Sequence, residues 1–174
     1  MRRAMIAVLL LAFAAASAAQ APERTDLGER VPSKDELVDL LKLPPPLPSR
    51  GGEPAPPPKP RAITSAIGFE LDSADLTEKG KAFLNNLGAA LSDEAFMNAR
   101  ILLEGHADAT GADDHNLRLS AARAESVKRF LVDIWGMPAE NISTVGKGET
   151  DLLDKANPES AANRAVAIIN TGTR

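Results

Sequence analysis

Ile63, Ser65, Ile67 and Phe69 fall on one side of an alternation over Ala62–Glu70, the two-residue period of a half-buried strand. Beyond it the period lengthens. Phe83, Leu84, Leu87 and Leu91 recur at helical spacing, and Asp75 followed by Glu78 predicts the cap that starts this helix. Arg100–Glu104 reads as a second strand. Leu117–Trp135 reads as a second long helix, with Val127, Phe130, Leu131 and Ile134 facing inward and Gly136 and Pro138 ending it. Asn141–Gly146 and Ala165–Asn170 read as the last two strands, parted by a polar loop that carries Asn157-Pro158. Strands alternating with helical crossovers predict an α/β (α+β) fold, a mixed four-stranded sheet with helices packed on it in the order βαβαβ(α)β. No internal repeat is visible.

Upstream the pattern changes character. Ser33 and Glu36 form a capping-box signature before Leu37, Val38, Leu40 and Leu41, so residues 33–43 predict a short helix. A helix of about three turns is marginal by itself. It either docks on the main domain or serves as a small motif for an envelope protein partner. Residues 44–60 are mostly Pro, broken by Arg50, Gly51 and Gly52, a composition that builds no core and reads as an extended tether. At the amino terminus Arg2 and Arg3 precede an apolar run, Met5–Ala16, and the small residues Ser17, Ala18 and Ala19. This is the pattern of a secretory signal cleaved after Ala19, and the run is short of the roughly 20 residues a membrane span needs. The expected organisation is a signal peptide (1–19), an N-terminal segment with a short helix (20–43), a Pro-rich linker (44–61) and a folded domain (62–174). The mature chain is expected to be exported and to carry no transmembrane span.

Charge and composition narrow the partners. The formal net charge is −4 and the basic residues are scattered, so the basic face that nucleic acid requires is missing. Aromatic residues are 3% of the chain and there is no Tyr, which excludes a stacking platform for bases or sugars. There is no Cys, so disulfides, thiolate metal sites and Cys-linked lipid anchors are excluded. The richest chemistry lies in Glu104–Arg123, where an apolar strand enters a polar, Gly-bearing loop and then an amphipathic helix. Asp108 stands at the strand's exit and Arg123 on the helix. A carboxylate and a guanidinium flanking one loop suit a zwitterionic ligand, and Arg makes the bidentate carboxylate contact that Lys does not.

The residues Phe69-Glu-Leu-Asp72, Gly80, Glu104-Gly-His-Ala-Asp108, Asn116-Leu-Arg-Leu-Ser-Ala-Ala-Arg123, Gly146-Lys-Gly-Glu149 and Asn163-Arg164 occur in that order. Over residues 62–174 they resemble the OmpA-like (OmpA/MotB) C-terminal domain, as in peptidoglycan-associated lipoproteins. The resemblance implies a periplasmic domain, outer-membrane-associated in some relatives, that binds peptidoglycan non-covalently through the meso-diaminopimelate of its stem peptide. It assigns the ligand's ammonium to Asp108 and its carboxylate to Arg123, with Asp72, Asn116 and Arg164 at the remaining contacts. Two departures stand out. The pattern's Thr before the Asp is Ala107 here, and its ending Asn-Arg-Arg-Val-Glu-Ile has become Asn163-Arg-Ala165-Val-Ala167-Ile. Neither a β-barrel nor a lipidated Cys accompanies the domain, so the usual anchors are not seen.

Each of these residues also has a plainer reading. Asp108 could cap the loop or the helix, and Asn116 could cap the helix while touching ligand. Arg123 could pair with Glu104 or Asp108, and Arg164 with Asp154 or Glu159. His106 reads as a hydrogen-bonded structural residue and Trp135 as core. Three functions follow: a cell-wall-binding module, an adaptor recruiting a partner through 33–43, or a metal-dependent wall hydrolase built on His106, Asp108, Asp113, Asp114 and His115. The last lacks a helical His-Glu-x-x-His pair, and no Gly-x-Ser-x-Gly supports a serine hydrolase. The chain is therefore not expected to be an enzyme or to carry a metal or cofactor.

Overall fold

The computed structural model, which describes residues 21–45, 47–48 and 56–173, is a five-stranded sheet with three helices. In chain order these are β1 (Glu23–Asp26), α1 (Lys34–Leu41), β2 (Arg61–Ser65), α2 (Glu78–Leu91), β3 (Ala99–His106), α3 (Asp113–Trp135), β4 (Ile142–Gly148) and β5 (Val166–Thr173). The strands lie in the order β1-β2-β5-β3-β4. The outer pairs β1/β2 and β3/β4 are parallel, each joined through a helix, while β5 runs antiparallel to both of its neighbours. The expected signal peptide lies outside the described residues, as does the middle of the Pro-rich run. No helix among the described residues is long and apolar enough to cross a membrane.

The mixed sheet with helices packed on it is the expected architecture, with one strand more than expected. β1 is Glu-Arg-Thr-Asp with every residue exposed, so it has no apolar alternation to reveal it. Its main-chain ladder to β2 holds it, from Glu23 opposite Arg61 to Asp26 opposite Thr64. The core lies between the sheet and the helices. Ile63, Ile101, Leu103 and Ile168 from the strands meet Phe83, Leu84 and Leu87 of α2 and Val127 and Leu131 of α3.

α1 belongs to this same core. Ser33 Oγ accepts the Glu36 N–H at 3.2 Å, as the capping signature predicts, while the Glu36 carboxylate turns to Arg30 at 2.8 Å. Leu37 and Leu41 are 0% exposed, so the stripe on residues 33–43 faces the domain and is not presented to a partner. Both ends of the Pro-rich run are fixed to one body. The Leu41 carbonyl accepts from Asn170 Nδ2 at 3.1 Å, and the Pro60 carbonyl accepts the Glu23 N–H at 2.9 Å. A segment that leaves and rejoins one body holds no second body at a distance, which corrects the tether reading.

Three local expectations change. The first strand ends at Ser65, because Ala66 N–H turns to Gly28 O and Gly68 O accepts Thr77 N–H. The cap of α2 is Thr77, whose hydroxyl accepts the Gly80 N–H at 3.2 Å, and not Asp75. Ile134 is 63% exposed. At the end of the 23-residue α3, Trp135 finds cover on Gly88 and Ile134 does not. The buried leucines of α1 give a direct test. Leu37→Ala or Leu41→Ala should cost about 2–5 kcal/mol of stability, as large-to-small changes in a packed core do. Urea denaturation measures it, and an unchanged midpoint would show α1 to be detached.

Candidate functional site

Two glycines set how closely α3 lies on the sheet. A Cβ on Gly105 of β3 would stand 2.0 Å from the Ser120 carbonyl oxygen, and one on Gly146 of β4 2.7 Å from the Ala121 nitrogen. With no side chain between them, Ser120 Oγ reaches across to accept the Gly148 N–H at 2.9 Å. The connection from β3 to α3 is pinned in turn. Ala107 N–H donates to Gly148 O at 2.8 Å and Ala109 N–H to Pro158 O at 3.0 Å. Asn116 lies in the first turns of α3 and aims its amide back at the loop. Its Nδ2 lies 2.8 Å from Thr110 O, 3.2 Å from Asp108 O and 2.7 Å from Glu149 Oε2. Asn116 is therefore a pin for the loop and not the helix cap, a position held by Ala112 without a side-chain bond.

Asp108 stands where β3 gives way to the loop, 4% exposed. Its carboxylate accepts the Thr110 N–H at 3.1 Å, the Thr110 hydroxyl, and the Arg164 guanidinium at 2.5 Å. Burial opposes its ionisation, but the bonds from Thr110 and Arg164 outweigh burial and hold the carboxyl below the usual carboxylate range. Arg164 thus pairs with Asp108 and not with Asp154 or Glu159. Asp154 instead accepts the Ala156 and Asn157 N–H groups of its own turn.

Arg123 pairs with neither Glu104 nor Asp108. Its Nε–H donates to Ser73 O at 3.0 Å, and its guanidinium lies 5.2 Å from the centroid of the Phe69 ring. Burial and the positive charge of Arg164 lower its pKa, against the pull of Asp72 and Asp108, yet a guanidinium stays protonated. Asp72 occupies the turn after Phe69 at φ +50, a left-handed conformation that Asp tolerates better than most residues. It meets His115 Nε2 at 2.7 Å. Asp72, Asp108, Asn116, Arg123 and Arg164 all line one cavity of about 570 Å³, with Phe69, Ala107 and Leu119 as its apolar wall.

Of the departures, Ala107 alone lines this cavity. Ala165 gives its carbonyl to the His106 N–H, and Ala167 is buried on the other side of the sheet, so neither removes a polar group from the site. Sequence reasoning gave no site role to Thr110, Ser73 or Phe69. Thr110 was accessible to it, since Asp followed two residues later by Thr is a common side-chain-to-backbone turn. The proposed hydrolase ligands separate. His106 is buried, with Nδ1–H donating to Asp151 O at 2.9 Å, while His115 binds Asp72 at the cavity mouth. Among the described residues no group of three His, Cys, Asp or Glu side chains is placed to hold a metal ion.

Comparison with known proteins bears on the family and the fold. A family model described as the OmpA family matches residues 68–165. Outer membrane protein Omp38 of Acinetobacter baumannii is 34% identical over 125 residues, which is 67% of this chain and 35% of that protein. The chain thus spans about a third of the length of that relative. Among solved structures, the OmpA-like domain of FopA1 from Francisella tularensis matches with a TM-score of 0.54 at 24% identity, covering 63% of this chain and 71% of that one. The cell wall anchor of the T6SS from Pseudomonas aeruginosa matches at 0.53 and 24%, covering 64% and 80%. At those identities the two structures establish the fold alone.

The Asp108 environment has a pH signature. A carboxyl whose folded pKa is lowered stabilises the fold above its unfolded pKa of about 3.9, and that contribution fades as pH falls through the folded value. Wild type should therefore exceed Asp108→Asn in denaturant midpoint at neutral pH, with the gap closing as the pH drops below about 4. A gap independent of pH would mean that the charge of Asp108 contributes nothing to the fold.

Proposed function

The chain belongs to the OmpA family, and from that premise we propose that it binds peptidoglycan non-covalently through meso-diaminopimelate in the stem peptide. The observation that carries the reading is that Asp108 and Arg123 face one cavity without pairing with each other. Arg123 has no carboxylate at ion-pair distance among the described residues, only a carbonyl and an aromatic ring, so its outer nitrogens are free for a ligand. The side-chain end of diaminopimelate offers one ammonium and one carboxylate on a short aliphatic stem. Asp108 takes the ammonium, Arg123 the carboxylate, and Phe69 and Leu119 cover the methylenes. Asp72 and Arg164 complete the charge around the ligand, and Asn116 holds the loop that presents Asp108. Lysine, which lacks the second carboxylate, leaves Arg123 unmatched.

An exported location in the periplasm, associated with the outer membrane or the wall beneath it, places the domain beside this ligand. A single open site of this size suits an affinity near micromolar, about −8 kcal/mol. The wall repeats its stem peptides densely, so rebinding lengthens retention without any further contact. Binding of this kind anchors or organises the envelope and calls for no catalysis.

Sedimentation with purified sacculi tests the proposal. Wild-type protein should co-pellet, and free meso-diaminopimelate should release it. Asp108→Asn and Arg123→Ala should each stay in the supernatant while keeping the wild-type circular dichroism spectrum. Pelleting of both variants at the wild-type level would refute the assignment.

A further inference from the structure

Arg123 and Arg164 stand on a ridge between two cavities. Beyond the one already described lies a smaller cavity of about 200 Å³, and the two share Phe69, Arg123 and Arg164. The smaller one has a floor of Ala66, Ile67 and Gly68, with Ala161 and Glu29 at its edge. The Glu29 carboxylate is matched by Lys79 at 3.0 Å, so it neutralises neither arginine. Arg164 uses Nη1 on Asp108, and Arg123 uses Nε on Ser73. The remaining nitrogens of both guanidiniums have no hydrogen-bond partner among the described residues. A zwitterion gives its ammonium to Asp108 and a single carboxylate to one arginine. The second guanidinium then keeps unpartnered N–H donors on the wall that the two cavities share.

We infer that the smaller cavity is a second subsite for a further carboxylate of the same ligand, so the domain reads an acid flanking diaminopimelate as well as its side-chain zwitterion. The inference rests on the diaminopimelate reading. In a stem L-Ala–γ-D-Glu–meso-diaminopimelate–D-Ala two such acids adjoin that residue. The γ-linked D-Glu keeps its α-carboxylate free on one side, and the terminal D-Ala carboxylate lies on the other. Each lies about one residue, ~3.5 Å of extended chain, beyond the diaminopimelate α-carbon. The three side-chain methylenes separate that carbon from the gripped zwitterion, so the ligand is long enough to span two adjoining cavities. The small, apolar floor accepts the alanyl methyl or glutamyl methylenes beside either acid.

Calorimetric titration of the full chain with four forms of this tetrapeptide tests the inference. The forms are the di-acid, the two in which one flanking carboxylate is amidated, and the one in which both are. The di-acid should bind about tenfold or more tightly than the doubly amidated peptide, as a charge-assisted bidentate contact implies. Whichever single amidation reproduces the loss identifies the acid. Ala161→Asp puts a negative charge at an exposed edge of the smaller cavity alone. It should bring the di-acid down to the affinity of the doubly amidated peptide and leave the latter unchanged. Equal binding of all four forms would overturn the second subsite while leaving the diaminopimelate grip standing. Binding of none would overturn both.

Discussion

The contact on which the site depends is the bare backbone approach of α3 to β3 and β4. Gly105 and Gly146 let the helix settle until Ser120 touches the strand backbone. The consequence is positional. Asp108 lies three residues beyond Gly105, and Arg123 lies three residues beyond Ser120 on the helix that rests there. The separation between the two charges is therefore set by a steric contact of main chain on main chain, which is far stiffer than any side-chain rotamer. Asn116 and Thr110 fix the loop between them, so the carboxylate is presented by a braced turn and not by a swinging one.

The charges at the site are arranged to remain charged and only partly satisfied. Asp108 is nearly buried, which alone would favour its neutral form, and Thr110 and Arg164 reverse that preference. Arg164 also neutralises Asp108, and its side chain is 51% exposed, so the pair is open to solvent on the arginine side. Arg123 is treated differently. Burial removes water from it and the Phe69 ring lies against it. Asp72 and Asp108 act on it only from beyond ion-pair distance, so its charge is less fully matched than that of Asp108. An anion already held and a cation left open are the two halves that the proposed zwitterion grip requires.

Much of this was legible in the chain, for a physical reason that also explains the gaps. Two-residue and helical periods reveal elements that bury one face, and so β2, β3, α2 and α3 could be read from Ile63, Leu103, Leu87 and Leu131. β1 buries no side chain and is held by main-chain bonds, which leave no trace in residue type. Asp75 and Thr77 are both competent caps. Which one serves was decided by the close meeting of Gly68 with Gly80, a tertiary contact invisible to local pattern. At the site, Asp108 and Arg123 could be named because their chemistry is unusual at that spacing. The partnership of Asp108 with Arg164 crosses 56 positions, and no spacing rule anticipates it.

The departure at Ala167 gains its meaning from the same limitation. On the side of the sheet away from the helices, Ala62 and Ala167 are small, and Arg24 of β1 extends over β2 and β5 to reach Glu104 of β3 at 2.8 Å. Glu104 is 7% exposed and has Lys147 as its second cation at 3.4 Å. His106 beside it offers no help, since burial keeps its ring neutral and its Nδ1–H is committed to the Asp151 carbonyl. A carboxylate at position 167 would lie opposite Glu104 in the β3/β5 register and add a second buried negative charge to the first. An alanine there lets the arginine of the edge strand cross instead. The amino-terminal segment is thus bound into the domain from both faces of the sheet, by Leu37 and Leu41 in the core and by Arg24 over the opposite face. Because Glu104 stands on β3 four residues before Asp108, the arginine that secures the outer edge also steadies the strand that leads into the site.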